Sequence, residues 1–135
     1  MGVNRVPTSV DLAVSGLKAE ALRMNVIAGN IANASSSRTE SGLPYRRMQV
    51  VLSGLSDGMS GVEVQQVAPD VTSDFKRVFQ PGHPDADKDG FVLMPNVDLP
   101  VEMINLVAAS RAYQANAAVL KRYQDSVETA LELLR

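Results

Sequence analysis

The feature that most constrains the fold is a seven-residue repeat of large apolar residues in the last third of the chain. Its positions are Leu99, Leu106, Tyr113, Leu120, Val127 and Leu134. In a helix, such a repeat keeps one stripe facing a partner helix and favours a left-handed supercoil. We therefore predict a helix from about Leu99 to Leu134, which would be roughly 50 Å long at about 1.5 Å per residue. Asp98 is its predicted cap, and Pro100 suits the first turn, where a missing N–H costs nothing.

The first third of the chain carries the same repeat. Its apolar positions spaced by seven are Val10, Leu17, Met24 and Ile31. Thr8 and Asp11 have the spacing of a capping box, so we predict a helix from about Ser9 to Asn33, ended by three consecutive serines. These four residues and the six of the last third are together called the predicted seam. We expect it to face partner helices.

Small residues lie beside the predicted seam on both helices. They are Gly16, Ala19, Gly29 and Ala32 on the first helix, and Ala108, Ala109, Ala112, Ala115 and Ala118 on the second. A single alanine is simply a good helix former. As a set, these residues permit close contact on more than one side, which a helix buried among several neighbours requires.

The segment between the two predicted helices has the pattern of short strands separated by turns. The predicted strands are Arg47–Leu52, Val62–Gln65, Phe75–Phe79 and Phe91–Met94, with turn residues such as Asp57 and Gly58 between them. We therefore predict an α+β fold in three segments. They are an N-terminal helix segment (1–41), a small β-rich region (42–98) and a C-terminal helix (99–135), with the two helices pairing as a coiled coil in one helical domain.

Composition argues against several classes of function. The formal net charge is -2 and no basic cluster stands out, so nucleic acid is not an expected partner. The chain has no cysteine, which excludes disulfides and cysteine-based metal sites. No apolar run reaches the roughly 18 residues of a membrane span, and the N-terminus does not resemble a signal peptide. Because no glycine-rich phosphate loop is visible, we predict no cofactor and no small-molecule substrate.

One acidic segment resembles a metal-binding loop. Asp85, Asp87 and Asp89, followed by Gly90, fit the first half of a calcium loop. The twelfth position of such a loop requires a glutamate, and Asn96 stands there instead. We therefore interpret the segment as a turn that joins two strands.

Two other polar groups are interpreted as structural. His83, the only histidine, has neither a second histidine nor a nucleophile near it in the sequence. Arg46 and Arg47 form a basic pair where a predicted strand begins, and we interpret them as a solvated edge. We therefore predict no catalytic, cofactor-binding or metal-ligating residue, and no enzymatic activity.

Segments at opposite ends of the chain resemble motifs of the axial proteins of the bacterial flagellum. The run Asn-Val-Ile-Ala-Gly-Asn-Ile-Ala-Asn-Ala (25–34) is similar to the N-terminal motif of rod and hook proteins, and Ser-Arg-Ala-Tyr-Gln-Ala-Asn (110–116) to their C-terminal motif. Residues 44–47 and 81–98 are most similar to the smallest class of the basal-body rod family, the proximal-rod proteins of type C. The motif residues carried over are Asn25, Asn30, Asn33, Arg111, Tyr113 and Asn116.

The resemblance implies a structural subunit of the proximal rod that self-assembles into the axial drive shaft and export channel. The implied partners are other rod subunits, further copies of this chain and the flagellar type III export apparatus, with no nucleic acid, small-molecule substrate or membrane insertion. The implied location is the basal-body rod, reached without a cleaved signal peptide. From the residues alone, two alternatives stay open: a soluble coiled-coil adaptor module, and a calcium-binding or hydrolytic domain.

Overall fold

A computed structural model describes residues 8–54 and 61–134 of the chain. The elements are α1 (Ser9–Ala32), β1 (Met48–Gly54), β2 (Val62–Pro69), β3 (Lys76–Phe79), β4 (Phe91–Met94) and α2 (Leu99–Glu132). The predicted α+β architecture, two long terminal helices with small sheets between them, is confirmed. Residues 1–7 of the predicted N-terminal segment and the predicted turn at Asp57 and Gly58 lie outside the described residues.

Both helices begin at their predicted caps. The backbone N–H of Asp11 donates to Oγ1 of Thr8 at 3.3 Å, and the N–H of Thr8 donates to the Asp11 carboxylate at 3.0 Å. This reciprocal pair is the predicted capping box. At the start of α2, Asp98 accepts the N–H of Val101 at 3.3 Å.

Each helix ends slightly earlier than the sequence predicted. The last helical residue of α1 is Ala32, because Asn33 forms the cap and its Nδ2 donates to the Gly29 carbonyl at 2.9 Å. The last helical residue of α2 is Glu132 rather than Leu134. Helix ends fray into turns, and a backbone turn closes α2 beyond Glu132.

The strands form two separate antiparallel pairs, β1 with β2 and β3 with β4. All four predicted strands are present, and β2 extends beyond the predicted Gln65 to Pro69. The extension has no apolar alternation of its own. It is a strand because its backbone pairs with the start of β1, for example at Met48 with Pro69.

The two helices pack against each other antiparallel. At one end, Nδ2 of Asn30 lies 3.1 Å from Oε2 of Glu102. At the other, a Cβ added to Gly16 would lie only 2.6 Å from Nδ2 of Asn116. Gly16 and Asn30 are separated by as many residues on α1 as Glu102 and Asn116 are on α2. Both contacts therefore belong to one antiparallel alignment.

The antiparallel alignment leaves part of α2 without a described α1 neighbour. Continued along both helices, it places the start of α1 opposite about residue 123 of α2. The remaining turns of α2, about residues 124–132, therefore extend roughly 13 Å beyond the first described turn of α1 at about 1.5 Å per residue. These turns are called the C-terminal overhang, and all of their residues are exposed.

Small residues make up much of the apolar core. The buried apolar residues are Ala13, Ala19, Ile27, Val92, Val97 and Ala109. Small side chains let helices approach closely but bury little area each. Within the described residues, neither helix is apolar enough over a sufficient length to cross a membrane.

Candidate assembly surface

The clearest contact between α1 and α2 is made by residues outside the predicted seam. That intrachain contact runs past Gly16 and Asn30 of α1 and past Glu102, Ala109 and Asn116 of α2. The seam residues of α1 are half-buried, as are two of α2; the other four, Leu99, Tyr113, Val127 and Leu134, are exposed. The α2 part of the seam thus faces largely outward in a single chain, where it is available to a partner.

Apolar side chains are also exposed on other faces of α2. They include Val101, Met103, Ile104, Val107, Val119, Tyr123 and Leu131, of which Ile104 is 69% exposed. An α-helix that is apolar over most of its circumference is normally buried among several neighbours. Contiguous exposed apolar surface of this kind marks an interaction site on a soluble protein. The outer surface of α2, which includes its part of the seam, is therefore the candidate assembly surface.

The residues of the two sequence motifs fall into two structural groups. Asn30, Asn33 and Asn116 serve the single chain, as a buried hydrogen-bonding side chain, a helix cap and the closest contact to Gly16. Asn25, Arg111 and Tyr113 are exposed. The first three therefore maintain the fold, and the last three lie where a neighbouring molecule could touch them.

A buried ion pair lies where the base of the helix pair meets the β region. Nε of Arg47 donates to Oε1 of Glu102 at 2.6 Å, and Nδ2 of Asn30 donates to Oε2 of the same carboxylate at 3.1 Å. Glu102 is fully buried. Asn30 also bonds both backbone groups of Met48, donating to its carbonyl and accepting its N–H, each at 2.8 Å.

A second layer of polar groups extends this network to the ends of β2 and β4. A guanidinium nitrogen of Arg47 lies 3.6 Å from the Asp70 carboxylate. Asn96 accepts the backbone N–H of Arg47 at 2.8 Å and donates to the carbonyls of Asp70 and Ser73. Asn30, Arg47, Asp70, Asn96 and Glu102 are together called the polar junction. It joins both helices to the β region.

The electrostatics of the polar junction affect the pKa of its member Asp70 and of the neighbouring Tyr45. Tyr45 donates its hydroxyl to Oδ1 of Asn30 at 2.9 Å, and burial and then the negative charge of Glu102 raise the pKa of Tyr45. Hydrogen bonds from the hydroxyl and the N–H of Thr72 lower the pKa of Asp70 to about 2. Within the described residues, every buried side-chain nitrogen and oxygen has a hydrogen-bond partner. Because its buried polar atoms are hydrogen-bonded, the polar junction serves to stabilise the fold.

The interpretation of Arg46 and Arg47 as a solvated edge was wrong. Arg46 donates to the carbonyls of Asp70 and Ser73 at 2.9 and 3.0 Å and lies over the ring of Phe75, 4.3 Å from its centroid. Arg47 is in the polar junction. Local sequence patterns could not predict these contacts, because the partners of both side chains lie more than one element away along the chain.

The acidic segment is a turn, as interpreted. The carboxylate of Asp87 accepts the N–H groups of Asp89 and Phe91 at 2.9 and 2.8 Å, and Gly90 has a φ of 82°, which favours glycine. Hydrogen bonds from the Ser37 hydroxyl and then from Arg38 lower the pKa of Asp85. Across residues 8–54 and 61–134, no three potential metal-ligating side chains of the His, Cys, Asp and Glu types lie together.

The single histidine is part of the same loop. Nδ1 of His83 accepts the backbone N–H of Asp85 at 3.1 Å. One ring nitrogen is therefore occupied in holding the loop, which accords with a structural interpretation of this residue.

Comparisons with known proteins agree with the geometry. Residues 11–37 match the profile described as "Flagella basal body rod protein", and residues 88–133 match "Flagellar basal body rod FlgEFG protein C-terminal". A flagellar basal-body rod protein FlgC from Yersinia enterocolitica is 49% identical over 82% of this chain and 84% of its own length. FlgC proteins from Borreliella burgdorferi and Salmonella typhimurium are 37% and 42% identical, over 95% and 91% of this chain and 97% and 93% of their own lengths.

Proposed function

The chain belongs to the flagellar basal-body rod protein FlgC family, and we propose that it assembles with further copies and other rod subunits through the outer surface of α2. As a member of this family it is a structural rod subunit and not an enzyme. Family membership therefore decides against the adaptor module and the hydrolytic domain. The proposal adds the surface that a neighbouring subunit would cover.

The observation that supports this proposal is the exposure of the predicted seam on α2. Val127 and Leu134 are 42% and 84% exposed, whereas the polar side chain of Glu102 on the same helix is fully buried. In a single chain, these apolar side chains of α2 therefore stay exposed to water. The residues of α2 that are buried, Glu102 and Ala109, are polar or small. Neighbouring subunits that cover the seam would gain about 25 cal/mol for each Å² of apolar surface removed from water.

The C-terminal overhang suggests where one neighbour would sit. Its exposed apolar residues include Val127 and Leu131, and no described residue of α1 lies opposite them. A helix of the next subunit could pack there with the seven-residue spacing that the seam supplies. The two terminal helices would then form the inner part of a tube, with the β region outside.

The proposed location and export route follow from the family. We propose that the subunit lies in the proximal part of the rod and contributes to the axial drive shaft and export channel. We also propose export by the flagellar type III apparatus without cleavage of a signal peptide. Mass spectrometry of the N-terminus of rod-associated protein would test the last point, since a shortened N-terminus would contradict it.

The test of the assembly surface is the substitution Leu120→Asp. Leu120 is half-buried in the single chain and lies on the seam, so contact with a partner helix would bury the new carboxylate. Burying an unpaired charge costs on the order of several kcal/mol. This cost would recur in every subunit. We expect the variant to be exported, because an unfolded chain does not use the seam, but to form no complete rod and give no motility.

Controls separate this effect from a general change in α2. Lys121→Ala and Asp125→Ala each remove an exposed charge of α2 at a position off the seam. Both variants should swim. Motility is scored together with immunoblots of periplasm, medium and isolated basal bodies. Normal swimming by Leu120→Asp would show that the seam is not the assembly surface.

A further inference from the structure

We infer that Glu102 is a positioning residue that fixes the axial register of α1 against α2. Register here means which residue of α2 lies opposite a given residue of α1. The inference rests on the proposed function for its biological consequence, because register decides where the seam and the C-terminal overhang lie relative to the β region. Its evidence comes entirely from contacts within a single chain.

The rest of the helix contact does not define one register. Gly16 marks a close approach, and three of the four buried apolar residues described on the helices, Ala13, Ala19 and Ala109, are small, Ile27 being the larger one. Small side chains allow two helices to come close but do not interlock deeply. A displacement of α2 by seven residues, about two helical turns, keeps the same face of α2 towards α1, and in one direction it places the small Ala109 opposite Gly16.

Glu102 is the exception, because its partners are specific and scattered along the chain. Its two carboxylate oxygens accept from Arg47 at 2.6 Å and from Asn30 at 3.1 Å, at a site with no exposure to solvent. A displaced register would separate the carboxylate from both partners. Breaking a buried ion pair leaves an uncompensated charge without water, so displaced registers are strongly disfavoured.

The same contacts tie the register to the β region. Arg47 immediately precedes β1, and its backbone N–H donates to Asn96, which lies shortly after β4. Asn30 holds the first residue of β1, Met48, through both of its backbone groups. The position of α2 along α1 and the position of the β region on the helices are therefore set by one carboxylate.

Engineered disulfides can report the register of the free subunit. The chain has no natural cysteine, so only introduced pairs react. Gly16→Cys with Asn116→Cys reports the observed register, in which these positions touch. Gly16→Cys combined with Ala109→Cys or with Tyr123→Cys reports displacement by one repeat in either direction. Dilute protein is oxidised in a glutathione buffer, and intramolecular cross-links are measured on non-reducing gels and by mass spectrometry.

The test variant replaces the ion pair by apolar groups of similar size, Glu102→Met with Arg47→Met. Asn30 keeps its two bonds to Met48 and Asp70 keeps those from Thr72, so each of these buried polar atoms keeps at least one partner, although Nδ2 of Asn30 loses the acceptor of its second N–H. Such replacements are often neutral or stabilising. We expect retained helix content, measured by circular dichroism, and a drop of at least tenfold in the ratio of in-register to displaced cross-links. A tenfold drop corresponds to about 1.4 kcal/mol of lost register preference.

The matched control removes an ion pair that lies within one helix. Glu20 and Arg23 of α1 are paired at 3.2 Å, and Glu20→Met with Arg23→Met makes the same change in charge and in methionine content. Because the hydrogen bonds of this pair stay within α1 and tie neither residue to α2 or to the β region, this variant should keep the wild-type ratio of cross-links. The unchanged control would show that added methionines do not by themselves loosen the register.

The outcomes decide the inference. A Glu102→Met, Arg47→Met variant that folds and forms only the 16–116 cross-link shows that other contacts set the register, and the inference is wrong. If that variant does not fold, Glu102→Gln is tested with the same reporters, because it keeps the side-chain volume. Exclusive 16–116 cross-linking there, or loss of all three cross-links, would also overturn the inference. Since no step requires a rod, failure of the assembly proposal would leave these results unaffected.

Discussion

At the scale of single residues, the close approach of the two helices at Gly16 gives a sharp test of packing. A Cβ at Gly16 would lie 2.6 Å from the Asn116 amide, whereas a Cβ at Gly29 would meet nothing within 4 Å. We expect Gly29→Ala to stabilise the free subunit by about 0.5–1 kcal/mol, the usual gain from removing a glycine in a helix. Gly16→Ala should fall short of this gain by about 1–3 kcal/mol, the cost of overpacking.

The measurement is urea unfolding of the free subunit. Asn116→Ala combined with Gly16→Ala should recover the missing stability, because the amide that the new methyl group meets is gone. Equal stabilisation by the two single glycine substitutions would contradict the close contact between α1 and α2.

Also at the residue scale, Asp70 gives the subunit a sensitivity to acid. Its pKa is lowered to about 2 from 3.8, chiefly by hydrogen bonds from Thr72, so its carboxylate form stabilises the fold. This contribution is fully present above about pH 4 and is lost as the pH falls towards 2. Asp70→Asn should lower stability near neutral pH and flatten the loss of stability between pH 4 and 2.

Urea midpoints measured across this pH range test the prediction. Asp85 and Asp87 also have lowered pKa values and remain in both proteins, so the difference between the two curves isolates Asp70. The exposed Asp74 is the control position. Parallel curves for the wild type and Asp70→Asn would contradict the contribution of Asp70.

At the scale of elements, the loop between β3 and β4 gives a prediction about metal binding. Its carboxylates are engaged as acceptors of protein hydrogen bonds, Asp87 from Asp89 and Phe91, and Asp85 from Ser37. A calcium loop also needs its bidentate glutamate. We expect no calcium affinity tighter than about 1 mM, the weak end for such loops. Calorimetric titration tests this, and a one-to-one site in the micromolar range would show that the turn interpretation is wrong.

The helices and strands were predictable from the sequence because their signals are local. The capping box at Thr8, the cap at Asp98 and the four strands depend on residues a few positions apart. Which face of each helix contacts the other helix of the same chain was harder to predict. The repeat that includes Leu106 and Tyr113 indicates an apolar stripe, but it does not say whether a helix of the same chain or of another molecule covers it.

The polar junction could not be predicted, for a related reason. Glu102 reads as one acidic residue in the first turn of a helix, and Arg47 as one basic residue before a strand. Nothing local indicates that they meet, because 55 positions separate them. Asn30 belongs to a motif that resembles those of rod proteins, which marks it as important without saying what it bonds.

At the scale of the whole molecule, burial is concentrated at one end of the helix pair. The largest fully buried side chains are Asn30 and Glu102 of the polar junction and Val92 and Pro95 in and just after β4, whereas residues 121–134 are all exposed. Amide exchange depends on local opening, which is easiest where few groups are buried. We expect the slowest exchange in the free subunit around the polar junction and the fastest in the C-terminal overhang.

Hydrogen exchange followed by mass spectrometry measures this gradient. The same experiment on the assembled rod supplies the control, because neighbouring subunits should then slow exchange in the overhang. Uniform protection along α2 in the free subunit would contradict the gradient.

The polar junction also has a consequence for the time that the chain spends unfolded. Its bonds join residues 72, 55 and 49 positions apart, so large loops of chain must close before any of them forms. Proteins dominated by such distant contacts fold slowly, whereas isolated helices form within about a microsecond. A newly made subunit therefore acquires helical turns long before it acquires its tertiary structure. On the export route proposed above, that delay would keep the chain without tertiary structure while it passes through a channel.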